Sequence, residues 1–253
     1  MEDYMPVVSI VTPIFNSELF LEETINSVLC QTFKNWELIL VDDNSSDNSR
    51  KIAEKFTRKD KRVRLIKLEK NQGPAVARNY GIHNSKGKYV AFIDSDDLWS
   101  ENKLMDQIKF MKSNNYLFTF SQYTKINENG EILSYVRVPD KVSYFDLLKK
   151  NHIGCLTVML NIEKLGEIEM PLIRKRQDLG LWLKILKKID YAYSLNQNLG
   201  SYRIRKNSVS SNKIISSLYT WELYRKFERL SFLKSFYYFT CYAFNGLIRR
   251  LQK

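Results

Sequence analysis

The sequence predicts an α/β fold, a mostly parallel sheet with helices on both faces. Two observations carry this. Within the first hundred residues, four short apolar, β-branched runs alternate with three segments of helical periodicity, the pattern of strand–helix–strand units wound into one sheet. Each of three such runs also ends in a polar cluster: Thr12-Pro13, Asp42-Asp43-Asn44 and Asp94-Ser95-Asp96-Asp97. Open parallel sheets bind ligands beyond the carboxyl ends of their strands, so three strand ends point at one crevice.

The elements follow in order. VVSIVTP, residues 7–13, reads as a buried strand. Leu19, Leu21, Ile25, Val28 and Leu29 then fall near helical spacing, with Ser17 placed to cap the helix. WELILVDD, residues 36–43, is strand, and SDNSRKIAEKFTRK is a helix capped by Ser46 or Asp47. VRLIKL is strand, GPAVARNYGIHNS is a helix with Pro74 in its first turn, and KYVAFID is strand. Past residue 115 the pattern loosens. YLFTFSQYTKINENGEILSYVRV reads as strands joined at Asn129-Gly130. FDLLKK and DLGLWLKILKKI are helical, the second burying Leu179, Trp182, Leu183 and Leu186. YAYSL and LGSYRI read as two short strands, and from Lys213 the chain reads as helix to its end.

A chain of 253 residues forms one large domain, or one domain with an appendage. Its 44% hydrophobic content exceeds what a disordered chain carries. The net charge of +12 calls for nucleic acid, anionic lipid or a phosphorylated small molecule as partner. Cys30, Cys155 and Cys241 are odd in number and lack metal-like spacing, which fits a reducing compartment. The first residues hold no apolar signal core, and no run of 18 charge-free apolar residues occurs, so the expected location is cytoplasmic.

Asp94, Asp96 and Asp97 pose the chemical question, because carboxylates this close repel one another. A strand-end Asp-Ser-Asp-Asp is also an ordinary turn and helix cap, but Ser100 can cap the following helix by itself. Asp94 and Asp96 can hold a hard divalent ion, Mg²⁺ or Mn²⁺, which borrows its remaining ligands from phosphate oxygens. That arrangement points to a diphosphate leaving group.

Five segments, VSIVTPIFN, SVLCQTFKNWELILVDDNSSD, NQGPAVARNYGI, GKYVAFIDSDDLW and RQDLGLWLKIL, resemble the family 2 inverting glycosyltransferases of GT-A fold. They stand in the family's order and cover roughly residues 7–210. The resemblance implies a domain over residues 1–212, with nucleotide-sugar binding up to about 115 and an acceptor side over 116–212, followed by a helical tail over 213–253. It implies that Thr12 and Pro13 pass close to uracil and ribose, and that Asp43 accepts a hydrogen bond from the uracil ring N–H, with Asp42 in a structural or secondary role. Asn71 and Arg78 are matched to the base and diphosphate region, Asp94 and Ser95 to the donor ribose and sugar, and Asp94 and Asp96 to the metal.

The resemblance makes Asp178 the base that deprotonates the acceptor hydroxyl, with Gln177 where the family usually has Glu. The bland alternative is a first-turn helix acid favoured by the helix dipole. Arg203 or Arg205 is expected to reach the diphosphate from a loop that closes over the donor. Arg174, Lys175 and Arg176 are either a solvated loop or a contact for an acidic acceptor such as a lipid diphosphate. His83 and His152 read as structural.

In the tail, Leu230, Leu233, Phe236, Tyr237, Thr240, Ala243, Phe244, Leu247 and Leu251 recur at three- and four-residue steps beside Lys226, Arg229, Lys234, Arg249, Arg250 and Lys253. An amphipathic helix on an anionic membrane surface fits residues 221–253, the alternatives being a helix packed on the domain or a dimer contact. The expected reaction is metal-assisted transfer from a UDP-sugar to a hydroxyl of a lipid-linked, lipopolysaccharide or capsule glycan. A sugar-nucleotide pyrophosphorylase would need a glycine-rich loop where TPIFNSE stands. A non-catalytic basic binder of nucleic acid or membrane would not need acids aligned at strand ends, and nucleic acid is not expected as a partner.

Overall fold

The structure, a computed structural model, describes residues 5–205 and 213–251. Its first half is the predicted alternation: β1 (Val8–Ile14), α1 (Leu21–Leu29), β2 (Trp36–Asp42), α2 (Ser49–Lys59), β3 (Val63–Lys67), α3 (Pro74–His83) and β4 (Tyr89–Phe92). There follow β5 (Leu98–Trp99), α4 (Lys103–Asn114), β6 (Phe118–Ile126), β7 (Ile132–Val136), β8 (Lys141–Val142), α5 (Tyr144–Lys149), β9 (Met159–Asn161), α6 (Ile162–Leu165), α7 (Gln177–Leu186) and β10 (Ala192–Arg203). The C-terminal part is α8 (Lys213–Glu222), a π-helical turn Leu223–Phe227 and α9 (Phe232–Leu251).

One sheet runs in the order β3-β2-β1-β4-β9-β6-β10-β5, with β7 on β6 and β8 on β10. The pairs β3·β2, β2·β1 and β1·β4 are parallel. The chain winds outward from β1 to β3, then returns to place β4 on the other side of β1, so the winding reverses between β1 and β4. That reversal is where an open α/β sheet opens a crevice.

Every residue of β2 is buried, as expected of a central parallel strand covered on both faces. Neighbouring residues therefore serve different cores. Ile10, Leu38, Leu40 and Ala91 pack with Leu21, Ile25 and Leu104 on one side of the sheet. Val11, Val90, Phe92, Phe118 and Phe120 pack with Leu179, Trp182 and Leu183 of α7 on the other.

Local chemistry differs from expectation at several helix starts. Ser17 does not cap α1 with its hydroxyl; its carbonyl accepts from the Phe20 and Leu21 amides, and the helix begins at Leu21. At α2 the acceptor is Asp47, not Ser46: Asp47 Oδ1 accepts from the Ser49 amide at 2.9 Å. Ser100 accepts from the Lys103 amide through its carbonyl, and Asn102 holds the cap position of α4. The two short strands expected near 191–204 are one strand, β10, whose pairing with β6 shifts register on either side of Asn198. Bulges absorb the polar Asn196-Gln197-Asn198 segment without ending the strand.

The continuous terminal helix is also corrected. The chain reverses between α8 and α9, with Arg229 left-handed at φ 54°. The Leu230 amide donates to the Tyr224 carbonyl at 3.0 Å, which closes the turn. One face of α9 lies on the domain, where Tyr238, Phe239 and Tyr242 pack against the core and Ser235 is buried. The opposite face exposes Leu233, Phe236, Tyr237, Thr240 and Phe244. The side chains of Leu247, Arg249, Arg250 and Leu251, the whole of Lys253, and most of the expected closing loop (residues 206–212) lie outside the described residues. Among the described residues no helix is long and apolar enough to cross a membrane.

Candidate active site

The crevice is built from the ends of β1, β2 and β4, in register through Thr12↔Leu40, Ile14↔Asp42 and Val11↔Phe92. Two long loops are stitched together above it. The Asn16 amide donates to Ser45 Oγ at 3.1 Å and the Ser46 amide to Asn16 Oδ1 at 2.9 Å. Ser17 Oγ and Ser95 Oγ share a 2.6 Å hydrogen bond, which ties the acidic cluster to the loop after β1.

Asp43 is buried at the end of β2, where its carboxylate accepts from the Gln72 and Gly73 amides, both at 2.8 Å. Asn71 Nδ2 donates to the Asp43 carbonyl at 3.2 Å. The 71–73 segment is thereby folded down onto Asp43, and Gly73 allows it because its φ is 91°. Asp42 is paired with Arg50 at 2.7 Å, in keeping with a structural role. Thr12 Oγ1 is buried without a partner, while the Pro13 ring is half-buried at the crevice wall.

The acidic cluster is met by two arginine side chains and one backbone amide. Arg78 of α3 pairs with Asp94. Arg205 Nε lies 2.7 Å from Asp96 Oδ2. The Arg203 amide donates to Asp97 Oδ1 at 2.9 Å. Burial, reinforced by the neighbouring Asp94 charge, raises the Asp96 carboxyl to about 6 despite Arg205. Burial pushes the fully enclosed Asp97 well above the usual carboxylate range, with Asp96 and Asp94 adding to the effect. Burial works against the Arg78 cation, yet the charge and hydrogen bond of Asp94, together with Cys155 and Asp178, outweigh it and hold the guanidinium above its ordinary value.

Arg78 is the pivot of the site. Its Nε and Nη1 are buried without hydrogen-bond partners, although the side chain also feels the charge of Asp178. Unpaired buried guanidinium donors are costly, and they mark a place where an anionic ligand is favoured. Asp178 sits half-buried in the first turn of α7. The thiol of Cys155 is buried within the fields of Arg78, Asp94 and Asp178, and burial raises it well above the usual thiol range. Asp94 and Asp96 supply hard oxygen ligands, but among the described residues no three His, Cys, Asp or Glu side chains form a metal cage. This donor set fits a Mg²⁺- or Mn²⁺-type ion that completes its shell with substrate phosphates.

The structure divides the two arginines that the sequence left as alternatives. Arg203 is consumed internally: Nε donates to the Asp96 carbonyl at 2.8 Å, Nη1 to the Glu128 carbonyl at 2.9 Å, and Nη2 pairs with Glu23 at 2.6 Å. Its guanidinium also stacks over Phe20, 4.8 Å from the ring centroid. Such an arginine braces the site, with its guanidinium donors directed at protein groups. Arg205 is partly exposed beside Asp96. Sequence reasoning missed the bracing role of Arg203, the burial of Asp97 and the place of Cys155. The partners of all three come from distant parts of the chain, and no local pattern reports them.

Comparison with known proteins matches this architecture. Residues 9–163 match the family described as Glycosyl transferase family 2. The chain is 43% identical over 252 residues to TuaG of Bacillus subtilis (strain 168), a protein named for teichuronic acid biosynthesis, covering 99% of this chain and 100% of that one. It is 39% identical to the Escherichia coli UDP-Glc:alpha-D-GlcNAc-diphosphoundecaprenol beta-1,3-glucosyltransferase WfgD, over 94% of this chain and 92% of that one. Among solved structures, S. aureus TarS 1-349 in complex with UDP-GlcNAc superposes with a TM-score of 0.71 at 21% identity, over 90% of this chain and 69% of that one. The mannosyltransferase PcManGT of Pyrobaculum calidifontis, solved with GDP-Man and Mn2+, gives 0.68 at 17% identity, over 90% and 66%. With a matching family over residues 9–163 and named relatives along nearly its whole length, the chain belongs to glycosyl transferase family 2.

Proposed function

We propose that this glycosyltransferase moves a hexosyl or N-acetylhexosaminyl group from a UDP-sugar to a hydroxyl of a lipid-linked, lipopolysaccharide or capsule glycan, with inversion. One observation carries the reading. Arg78, held against Asp94 at the winding reversal and bearing unpaired buried donors, lies within the field of Asp178. On this reading the donor diphosphate lies at Arg78 and the acceptor hydroxyl at Asp178.

In the reaction, the acceptor oxygen forms a bond to the anomeric carbon as the bond to the diphosphate breaks. UDP leaves with the electron pair, and the hydroxyl proton passes to the Asp178 carboxylate. A single displacement of this kind inverts the anomeric centre. Arg78 and Arg205 offset charge that develops on the diphosphate. Asp43, fixed by the Gln72 and Gly73 amides, keeps lone pairs for the uracil N–H. A divalent ion held by Asp94 and Asp96 would supply Lewis-acid neutralisation of the leaving group. The names of the relatives WfgD and WfaP support a diphospholipid-linked acceptor. The exposed apolar face of α9, flanked by Arg225, Lys226, Arg229 and Lys234, is suited to the headgroup region of an anionic membrane. On this reading the enzyme works peripherally at the cytoplasmic face of a membrane.

Calorimetric titration of UDP into the protein, with Mn²⁺ and then with EDTA, tests the nucleotide site. The expected result is metal-dependent binding that Asp96→Ala abolishes. Metal-independent binding, or full affinity in Asp96→Ala, would remove Asp94 and Asp96 as the metal site.

A further inference from the structure

Arg176 is the residue before α7, and its backbone is left-handed, at φ 69° and ψ 14°, with no side chain capping the helix. Residues other than glycine avoid this region and stay there only where their surroundings hold them. Asp178 follows two residues later in the first turn. Whatever holds Arg176 therefore sets the direction in which that carboxylate enters the crevice.

Three contacts hold it. The Gly180 amide donates to the Arg176 carbonyl at 2.9 Å. A Cβ on Gly180 would meet Pro171 Cγ at 2.5 Å and Leu223 Cδ1 at 3.1 Å, so the first turn of α7 lies tight against Pro171 and the π-helical turn. The Arg176 guanidinium stacks over the Tyr242 ring, 5.3 Å from its centroid, with Nε buried. Leu223 and Tyr242 both belong to the C-terminal helices, and those helices are themselves anchored. Tyr224 OH donates to the Leu148 carbonyl at 2.5 Å, Glu228 pairs with Lys187 at 2.7 Å, and Asn245 Nδ2 donates to the Lys149 carbonyl at 3.3 Å.

We infer that Arg176 and Tyr242 are positioning residues for sugar transfer: the C-terminal helix pair fixes the left-handed turn that aims Asp178. The inference rests on Asp178 being the base. Stacking is the device, because a guanidinium over an aromatic face is held in orientation as well as place. A base displaced by 1 Å loses about 10²-fold in rate, so this contact acts on turnover and leaves the donor site unaffected.

The test uses the full chain, UDP-glucose, and N-acetylglucosaminyl-diphosphoprenol as probe acceptor. Tyr242→Ala should lower kcat by about 10- to 100-fold while UDP affinity and the donor KM stay within about twofold. Tyr242→Phe keeps the ring and should restore kcat, whereas Tyr242→Leu keeps apolar packing and should not. Arg176→Gly keeps the left-handed backbone without the guanidinium, and should fall with Tyr242→Ala. The double variant should be no worse than either single one, because both break one contact. Unchanged kcat in Tyr242→Ala, or full activity in Arg176→Gly, overturns the inference. Failure of the wild-type chain to bind UDP would instead defeat the proposed function. If the chain binds UDP but does not use this acceptor, amide exchange over residues 176–180 decides: exchange faster in both Tyr242→Ala and Arg176→Gly than in the wild type and Tyr242→Phe supports the contact, and wild-type rates in all variants overturn it.

Discussion

Asp94, Asp96 and Asp97 repel one another, and the fold answers the first two with the side chains of Arg78 and Arg205 and the third with the Arg203 backbone amide. This division makes separate predictions for separate residues. Asp178→Asn should keep UDP affinity and lose transfer by roughly two to four orders of magnitude, measured by single-turnover kinetics. Loss of UDP binding in that variant would place Asp178 on the donor side. Arg203→Met should destabilise the protein by about 1–3 kcal/mol in urea unfolding, because the Asp96 and Glu128 carbonyls lose their charged donor. Arg203→Lys should recover little, since one ammonium cannot reach Asp96, Glu128 and Glu23 at once.

Two helices carry predictions of their own. On α4, Lys103 is fully buried, donates to Gln107 Oε1 at 2.8 Å and faces the Trp99 ring at 4.1 Å. No carboxylate among the described residues pairs with it, and burial pushes it from 10.5 down to about 7. The unfolded chain therefore binds one more proton than the folded chain between those values, and stability should rise with pH from about 7 to about 10.5. Lys103→Met should flatten that slope in pH-dependent melting and raise the melting temperature at pH 7; an unchanged slope would mean that the lysine stays charged. On α7, Gly180→Ala would gain about 1 kcal/mol of helix propensity. The clash with the Pro171 ring, about 1–3 kcal/mol of overpacking, outweighs it. A lower melting temperature is expected, and a higher one would show that Pro171 yields.

The elements also show what a sequence can and cannot display. The parallel half was legible because its cause is local: apolar runs of strand length, Pro74 opening α3, and polar clusters where strands end. The reversal between α8 and α9 was not, because neither Gly nor Pro marks it and Arg229 adopts the left-handed turn under the pull of packing. Candidate acids were legible as a cluster, while the partners of Arg203 lie up to 180 residues away and leave no local trace.

Taken whole, the molecule carries its +12 charge on a body whose last helix faces two ways. One face packs on the core, the other presents Leu233, Phe236 and Phe244. Changing those three to Ser should leave the melting temperature nearly unchanged, since surface substitutions stay within about 0.5 kcal/mol each, and should abolish cosedimentation with phosphatidylglycerol vesicles. Retained cosedimentation would assign the face to another partner. Deleting the chain after Leu230 is a different experiment, because it also removes Tyr242 from Arg176 and Asn245 from Lys149.

The bracing arginine has a consequence for biosynthesis. Arg203 bonds Asp97 across 106 residues of chain and Glu23 across 180. A ribosome adding about 5–20 residues per second leaves the acid cluster without that brace for roughly 5–20 s after Asp97 is made. During that interval the nascent sheet holds only Arg78 against three carboxylates. The half of the protein that reads most plainly as a fold is thus the half that must wait longest to be finished.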